Sequence, residues 1–400
     1  MHQKLYSRAR PYIDIKQIIS CLNGDLKHHN DTKELYFSSG RAALKWLLFN
    51  LKIKNNKTLN IGVQAFTCPT VIGAILSSGN TPIFYDISQR YFTTLYRDIN
   101  FSKIDVLILT HLFGIPNPDY LKIVERCKED KIYLLDDLAQ TVGACLGGRK
   151  VGYDSNAAIY SFGFDKPISC YRGGLLRVNE TGGMEDIIMQ YYNVSNEDPR
   201  NDGRDLLKLF LYYMLNEPIY YRYGLSAGKW YDDIILTMWN KFHFSYDIIM
   251  YPIRGFEFIT TIRKKYGESS EYIDIYKLGP IKTTYIKNLW KSYEEIKLKR
   301  LKVAQQARKK LEKVFPTIIF PKMEDHMSPA WHRLPVLVDK REVVIDWGRK
   351  NAIEIGPFNW PELAFKPYST ISSSNYLFPH STQVTRKILN LPIWDEAIWK

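Results

Sequence analysis

The sequence predicts an α/β protein with a large domain, in which helices cover a mostly parallel sheet, and a smaller α+β domain that holds the C-terminus. Two observations predict this fold class. Short apolar runs alternate with amphipathic helical patterns through the first half of the 400-residue chain, and such alternation is typical of a parallel sheet with helices on both faces. After Asn179 the alternation stops, and a long helical pattern leads to two further strand-like runs.

Four strands are predicted in the first half of the chain. Residues 58–63, 81–86, 105–110 and 131–136 are short runs rich in Ile, Val, Leu and Tyr, each bounded by polar or turn residues. Sheets of this kind bind ligands beyond the carboxyl ends of their strands. The residues that follow each strand are therefore the first candidates for a functional site.

Two helices are predicted next to these strands. Residues 41–51 and residues 118–130 each repeat apolar side chains at the spacing of one helix face. The apolar positions are Leu44, Leu47, Leu48 and Leu51 in the first helix and Tyr120, Ile123, Val124 and Cys127 in the second.

The second half is predicted to contain an insertion, a connecting helix and the smaller domain. Residues 205–256 are dense in aromatic and aliphatic side chains, and residues 284–314 form one long amphipathic pattern that leads to the strand-like runs WHRLPVLV and ILNLPIW. We expect residues 30–275 to form the large domain, with 205–256 as an aromatic-rich insertion. Residues 1–29 and 276–400 would form the small domain.

Two interpretations of residues 205–256 remain open. The longest apolar run, LFLYYML, is far too short to span a bilayer. The favoured interpretation is a set of extra helices packed on the large domain or on a dimer interface. The alternative is an amphipathic surface that makes weak peripheral contact with an anionic membrane.

The chain carries a formal net charge of +13, and much of it lies in the run LKRLKVAQQARKKLEK. The favoured interpretation is the solvated face of a helix, and the alternative is attraction to phosphate groups of a ligand. No nucleic-acid-binding motif is present, so we expect no nucleic-acid partner. The five cysteines show no paired spacing, so we expect no metal site. A polar N-terminus without a signal-peptide pattern adds to the expectation of a cytoplasmic protein.

Two strand-end segments suggest a ligand site. The turn Ser38–Ser39–Gly40 opens a helix whose first side chain is Arg41, and a helix N-terminus with a nearby arginine suits a phosphate. On this segment alone, an ordinary capped helix is the favoured interpretation. Asp136 and Asp137 close a predicted strand. One of them would cap the following helix, and the other would hold a protonated heterocyclic nitrogen.

The stretch AAIYSFGFDKPISCYRGG places Lys166 between an apolar strand and the pair Gly173–Gly174, which reads as a flexible turn. Desolvating an ammonium group is costly unless it is paired or loses its proton. A lysine in such a place can form a Schiff base with an aldehyde, and Ser161 lies at the end of the same predicted strand. An anion cradle, a carboxylate and a lysine are the parts that hold pyridoxal 5′-phosphate.

Five motifs in the correct order resemble the DegT/DnrJ/StrS family of pyridoxal-phosphate-dependent sugar aminotransferases, which have the fold-type I aminotransferase architecture. The motifs are SSGRAAL, FTCPTVIGAILSSGNTPIFYDI, LDDLAQTVGA, SFGFDKPISCYRGG and FPHSTQVTRKILNLPIW. The resemblance runs over most of the chain. It implies an enzyme of amino-sugar and polysaccharide biosynthesis that works as a homodimer.

The resemblance implies a role for eight residues. Lys166 would be the Schiff-base lysine and would then move a proton, Asp137 would pair with the pyridine nitrogen, and Gln140 would contact the ring or its phenolic oxygen. The implied phosphate cradle consists of Gly40, Arg41, Ala42 and Ser161. Cys68 stands where many relatives carry an aromatic residue that stacks on the cofactor.

The implied activity is the conversion of a keto-sugar, carried on a nucleotide or another carrier, to an amino sugar with glutamate as the donor. Family members that act as dehydratases have histidine at the lysine position, so Lys166 favours transamination. The alternatives are a pyridoxal-phosphate-dependent sugar dehydratase and a degenerate, non-catalytic relative. Arg172 stands where the family has glutamate, and no clear match to the family's Asn-Tyr-Arg segment is present.

Overall fold

The computed structural model describes residues 6–7, 10–24, 33–179, 183–218, 273–357, 362–368 and 377–400. Within these residues the strands are β1 (Glu34–Phe37), β2 (Asn60–Gln64), β3 (Thr81–Tyr85), β4 (Val106–Thr110), β5 (Tyr133–Asp137), β6 (Cys145–Leu146), β7 (Arg149–Lys150), β8 (Ala157–Ser161), β9 (Gly174–Val178), β10 (Met327–Ser328), β11 (Leu334–Leu337), β12 (Gly356–Pro357) and β13 (Ile388–Leu391).

The helices of the described residues are α1 (Ile15–Leu22), α2 (Gly40–Asn55), α3 (Pro69–Ser77), α4 (Tyr120–Glu129), α5 (Glu185–Tyr192), α6 (Pro199–Leu215), α7 (Pro280–Lys291), α8 (Tyr293–Val314), α9 (Arg341–Lys350) and α10 (Pro379–Lys387). Short 3-10 turns cover Tyr96–Asp98, Phe101–Lys103 and Glu396–Trp399. None of the described helices is long and apolar enough to cross a membrane.

The large sheet has seven described strands in the order β1-β9-β8-β5-β4-β2-β3. β8, β5, β4, β2 and β3 pair in parallel, whereas β9 is antiparallel to both β8 and β1. The mostly parallel sheet is therefore confirmed. The four predicted strands match β2 to β5, with ends that differ by at most two residues.

Helices pack on both faces of this sheet, as predicted. Successive residues of β4 show why: Leu107 and Leu109 belong to one buried cluster, while Val106 and Ile108 belong to the other. The first cluster includes side chains of α4, α6, α7 and α8, and the second includes side chains of α2, α3 and α5. Alternate strand residues point to opposite faces, so both faces need apolar covers. The predicted apolar faces of α2 and α4 are buried.

The predicted single helix over 284–314 is wrong in one respect, because α7 ends at Lys291 and α8 begins at Tyr293. Ser292 between them has φ −89° and ψ 1°, which is not helical. Leu289 and Tyr293, on either side of the break, belong to the same buried cluster.

The C-terminal strands form a separate small sheet in the order β11-β13-β12, all antiparallel. β11 and β13 coincide with the two predicted strand-like runs. The proposed division into residues 30–275 and residues 1–29 with 276–400 stays a prediction. The insertion predicted over 205–256 is described only up to residue 218, and residues 219–256 lie outside the described part.

Candidate active site

A cavity lies beyond the carboxyl ends of β4, β5 and β8, next to the first turns of α2 and α3. It contains about 700 Å³ of empty space, including its mouth to solvent. Seven of the eight residues predicted from the sequence line it: Gly40, Arg41, Cys68, Asp137, Gln140, Ser161 and Lys166. The fold therefore brings together residues that are up to 126 positions apart, which is the separation of Gly40 and Lys166.

The first turn of α2 forms one wall of the cavity. Ser39 caps this helix: its Oγ accepts a hydrogen bond from the Ala42 N–H at 3.2 Å, and its carbonyl accepts from the Ala43 N–H at 3.1 Å. The N–H groups of Gly40 and Arg41 have no acceptor within the helix. Together with the positive end of the helix dipole and the exposed Arg41 side chain, they make this wall attractive to an anion.

Ala42 differs from the sequence prediction. Its side chain is fully buried, it does not line the cavity, and its N–H is already donated to Ser39. This arrangement offers none of its polar groups to a ligand. We expect Ala42 to act in the packing of α2.

Two glycines allow α2 to approach the sheet. A Cβ atom on Gly174 would lie 2.3 Å from Gly40 N and 2.4 Å from the carbonyl carbon of Ser39, and a Cβ on Gly40 would lie 3.4 Å from Ser161 Cβ. The prediction of a flexible turn at Gly173–Gly174 is wrong. Neither residue has a positive φ, and Gly174 begins β9, where its missing side chain makes room for the start of α2.

Asp136 and Asp137 point in different directions. Asp136 is fully buried away from the cavity lining, where its carboxylate accepts from His111 Nε2 at 3.1 Å and from the Tyr120 hydroxyl at 2.8 Å. Asp137 lines the cavity, and its Oδ1 accepts from the Ala139 N–H at 3.1 Å. Neither aspartate caps a helix, because turns follow β5. The cap predicted for one of them is therefore wrong.

Burial raises the pKa of Asp137 above its ordinary value, and the nearby charge of Lys166 opposes this effect only in part. A carboxylate in such a place is stabilised by a cationic partner. The cavity therefore suits a ligand that brings a protonated nitrogen to Asp137.

Lys166 lies in a turn after β8. Its N–H donates to the Gly163 carbonyl at 3.0 Å, its side chain is 14% exposed, and its Nζ lies 3.8 Å from Asp165 Oδ1. The amine thus reaches a largely desolvated cavity that Asp137 shares. The expected strand before the lysine is confirmed.

Gln140 and Cys68 lie on the cavity wall with fixed orientations. Gln140 Oε1 accepts from the Phe113 N–H at 3.1 Å, so the NH₂ end of the amide is the end that can donate to a ligand. Cys68 is half-buried just before α3, and its Sγ lies 3.1 Å from Thr70 Oγ1. A thiol offers much less surface for stacking than an aromatic ring.

Four polar residues of the cavity wall were missed from the sequence: Thr67, Thr70, Thr110 and His111. The hydroxyls of Thr67 and Thr110 are buried and have no hydrogen-bond partner among the described residues. His111 also lines the cavity, and its Nδ1 accepts from the Asn117 N–H at 3.1 Å. Thr110 is the last residue of a predicted strand, so the strand-end rule was the signal that could have found it.

The chain is similar to known proteins over the region that contains most of the five motifs. Residues 26–203 match the model of the DegT/DnrJ/EryC1/StrS aminotransferase family. The GDP-perosamine synthase of Escherichia coli O157:H7 is 29% identical over 146 residues, which is 36% of this chain and 39% of that protein. The UDP-N-acetyl-3-dehydro-alpha-D-glucosamine 3-aminotransferase of Acidithiobacillus ferrooxidans is 28% identical over 128 residues, 31% of this chain and 34% of that protein. Each match therefore spans less than two fifths of the relative's own length.

The fold is similar over nearly the whole chain. Helicobacter pylori PseC, an aminotransferase involved in the biosynthesis of pseudoaminic acid, superimposes with a TM-score of 0.67 and 15% identity, over 97% of this chain and 94% of that one. This likeness shows the fold-type I architecture that the sequence predicts. The match to the DegT/DnrJ/EryC1/StrS aminotransferase family model over residues 26–203 includes every predicted site residue of the cavity.

Proposed function

We propose that this protein is a pyridoxal-phosphate-dependent aminotransferase that converts a keto-sugar on a nucleotide or similar carrier to an amino sugar, with glutamate as the amino donor. One observation carries the proposal: Lys166, Asp137 and the first turn of α2 line a single cavity. The names of the two relatives support a sugar substrate on a nucleotide.

The residues present fit the cofactor. Asp137 is a buried carboxylate with a raised pKa, and a protonated pyridine nitrogen would satisfy it. The start of α2, with Arg41 beside it, suits a phosphate. The orphaned hydroxyls of Thr67 and Thr110 need a partner, because an unsatisfied buried polar group costs about 1–3 kcal/mol.

When bound, the cofactor supplies a carbonyl group that condenses with amines and a ring that accepts the electron pair of a broken C–H bond. Lys166 Nζ would hold the cofactor, release it to the amino donor and carry the proton in both half-reactions. Asp137 would keep the ring nitrogen protonated. The Gln140 NH₂ group would donate to the ring's phenolic oxygen, and the low exposure of the Lys166 side chain, 14%, would limit the access of water to the amine.

Attachment of the cofactor to Lys166 is the first property to test. The purified protein should be yellow, as expected of a lysine-bound cofactor of this class, and borohydride should fix the cofactor on the peptide that contains Lys166. Lys166→Ala should abolish turnover while the melting temperature stays close to that of the wild type. Full transamination by Lys166→Ala would overturn the proposal.

A panel of nucleotide-linked keto-sugars with glutamate identifies the reaction by product mass. Replacement of the ketone by an amine supports transamination, whereas loss of water indicates a dehydratase. A protein that neither binds the cofactor nor changes any sugar would be the degenerate relative.

We further propose that the protein works as a homodimer, because the resemblance implies an active site at a dimer interface. Light scattering during size-exclusion chromatography should give twice the chain mass of 46.8 kDa. A monomer with full activity at micromolar concentration would contradict this.

A further inference from the structure

The residue directly before Lys166 is an aspartate held at both its side chain and its main chain. Arg333 Nη2 donates to Asp165 Oδ2 at 3.2 Å, and His332 Nε2 donates to the Asp165 carbonyl at 2.9 Å. Asp165 Oδ1 lies 3.8 Å from Lys166 Nζ. His332 and Arg333, just before β11, thus bind the turn that carries Lys166. They lie 167 and 168 positions from Asp165 in the sequence.

These contacts are shielded from water. The side chain of Arg333 is 6% exposed and that of His332 is 1% exposed. Burial, together with the charges of Lys166 and Arg333, lowers the pKa of His332 well below its ordinary value, so this imidazole is neutral. Asp165 is the carboxylate that pairs with the buried Arg333 within the described part of the chain, and a buried guanidinium requires such a partner.

The Asp165 carboxylate contacts two cations, Lys166 through Oδ1 and Arg333 through Oδ2. Burial acts to raise its pKa, but the charges of Lys166 and Arg333 outweigh this and lower the pKa to about 2. The carboxylate is therefore ionised at neutral pH. It favours the charged form of the neighbouring amine, whereas Arg333 disfavours that form by its own charge and by its hold on Oδ2.

Other charged or titratable groups surround the Lys166 amine, and each belongs to a different element. Asp137 ends β5, His111 follows β4, Arg41 starts α2, and His332 and Arg333 precede β11. Of these, Asp137 lines the cavity, while His111 bonds to Asn117 and Asp136, and His332 bonds to the Asp165 carbonyl. The charges that remain next to the amine are those of Asp165, which precedes Lys166 in the chain, and of Arg333, which pairs with Asp165.

We propose that Asp165 is a positioning residue that sets the place and the protonation of the Lys166 amine, and that Arg333 limits how much of its negative charge reaches that amine. The inference deepens the proposed function and rests on it only in taking the Lys166 amine as the reacting group. Removal of either side chain should shift the pH dependence of the amine, in opposite directions.

The amine can be followed without any enzymatic assay. Full-length protein, dialysed against hydroxylamine to remove carbonyl compounds from Lys166, is labelled with limiting acetic anhydride across a pH series. Mass spectrometry then quantifies the Lys166 peptide. Lys299, which is 63% exposed and pairs with Glu295, serves as the internal control whose profile should not move.

Asp165→Asn keeps the size of the side chain and the main-chain contact to His332. It should move the labelling midpoint of Lys166 to lower pH by about one unit or more, since an opposite charge this close stabilises the ammonium form by that order. Arg333→Met should move the midpoint to higher pH. The double variant should fall between the two single variants.

Thermal melts separate this role from simple packing. A purely structural role would lower the melting temperature and leave both midpoints unchanged or move them in the same direction, and either pattern would overturn the proposal. If Arg333→Met does not fold, the shift in Asp165→Asn decides alone. The readout does not require the cofactor, so a protein that fails to bind it would refute the proposed function without affecting this test.

Discussion

Asp136 and Asp137 are neighbours in the sequence, yet the structure gives them different tasks. Adjacent residues of a strand point to opposite faces, so Asp136 bonds to His111 and Tyr120 in the core while Asp137 meets the cavity. Asn117 donates to His111 Nδ1, which places the imidazole proton on Nε2, towards Asp136. Asp136 therefore finds its hydrogen-bond partners within the protein, whereas Asp137 is placed to contact a ligand in the cavity.

We predict opposite effects for the two asparagine variants. Asp137→Asn should reduce the rate by about 10²-fold or more, because the ring nitrogen loses its counter-ion at a barrier cost of about 3 kcal/mol. Its raised pKa means that the folded state binds more protons than the unfolded state. The carboxylate therefore destabilises the cofactor-free protein increasingly as the pH rises from the ordinary aspartate pKa through the raised one. The cofactor-free variant should thus melt no lower than the wild type at neutral pH.

Asp136→Asn is the matched control for that variant. It should lower stability by about 1–3 kcal/mol, because a buried network loses one of the two oxygens that accept from His111 and Tyr120, and it should change the rate much less. Steady-state kinetics and thermal melts of both variants check this. Equal rate losses would mean that the two roles have been wrongly assigned.

The orphaned hydroxyl of Thr110 gives a second prediction. Thr110→Val keeps the shape of the side chain but removes a group that has no partner among the described residues. Cofactor affinity should fall about 2- to 10-fold, since a neutral hydrogen bond contributes about 0.5–1.5 kcal/mol. The cofactor-free protein should be no less stable.

Thr385→Val is the control for this measurement. The Thr385 hydroxyl is buried in α10 and already donates to the Thr382 carbonyl at 2.8 Å. Its loss should lower stability and leave cofactor affinity unchanged in a spectroscopic titration. Unchanged affinity in Thr110→Val would show that its hydroxyl does not face the ligand.

At the scale of elements, the contact between α2 and β9 decides whether the anion-binding wall exists. Gly174→Ala would place Cβ 2.3 Å from Gly40 N, and main-chain atoms cannot move away cheaply. We expect a loss of about 1–3 kcal/mol in stability and a larger loss of cofactor affinity, measured by denaturation and by titration.

Gly203→Ala is the control, because an added Cβ atom has room at this glycine. Gly203 lies within α6, and the nearest atom to an added Cβ is Leu22 Cδ2 at 3.8 Å. Alanine is the better helix former there, so stability should rise by about 0.5–1 kcal/mol. A Gly174→Ala protein that matches the wild type in both measurements would contradict the packing argument.

A buried charge cluster joins α6 to α7. Lys282 is fully buried, and its Nζ lies 2.7 Å from Glu197 Oε2, 3.8 Å from Asp202 Oδ1 and 2.9 Å from Asp205 Oδ2. Arg172, which stands where the family has glutamate, also pairs with Asp205 at 3.1 Å. The cluster explains how this chain tolerates an arginine at that position.

Lys282→Met should be strongly destabilising, by about 3–5 kcal/mol, because it leaves the buried carboxylates of Glu197 and Asp202 without the cation that they share. Lys299→Met is the control. Its pair with Glu295 is exposed on both sides, so the loss should stay within about 0.5 kcal/mol. Chemical denaturation measures both. Similar losses for the two variants would contradict this account of the cluster.

At the scale of the whole molecule, the basic run of α8 is mostly a solvated face, as the favoured interpretation predicts. Lys299, Lys302 and Arg308 are exposed and pair with carboxylates on the surface. Arg300 is the exception: it is buried and donates to the main-chain carbonyls of Trp331 and His332. Arg300 thus fixes the main chain of residues 331–332, next to the His332 and Arg333 side chains that contact Asp165.

One face of the described part of the aromatic-rich segment packs against the protein, although Leu207 is 49% exposed. Leu206 and Leu209 are fully buried, and Tyr212 is nearly so. We therefore predict no salt-sensitive binding of the protein to anionic liposomes in a flotation assay. Binding at low ionic strength that weakens as salt is added would favour the membrane interpretation of residues 205–256 instead.

The sequence by itself determined the local elements and predicted seven of the residues that line the cavity. The apolar periodicity of α2, α4 and the four central strands is local, so it can be read without the fold. Lys166, Asp137 and the start of α2 were found because their motifs occur in order and their strand ends meet at one edge of a parallel sheet. The break at Ser292 had a local signal that the apolar pattern overrode, because Ser292 and Glu295 have the spacing of a capping box at a helix start.

Only the tertiary structure decided which polar groups meet across long sequence separations. Asp165 and Arg333 are 168 positions apart, and nothing in either neighbourhood indicates the pairing. Gly174 was read as a turn because glycine permits both turns and close packing, and only the approach of α2 distinguishes them. Satisfaction of buried charges depends on every neighbour in space, which is why the roles of Asp165 and Lys282 became visible only in the folded protein.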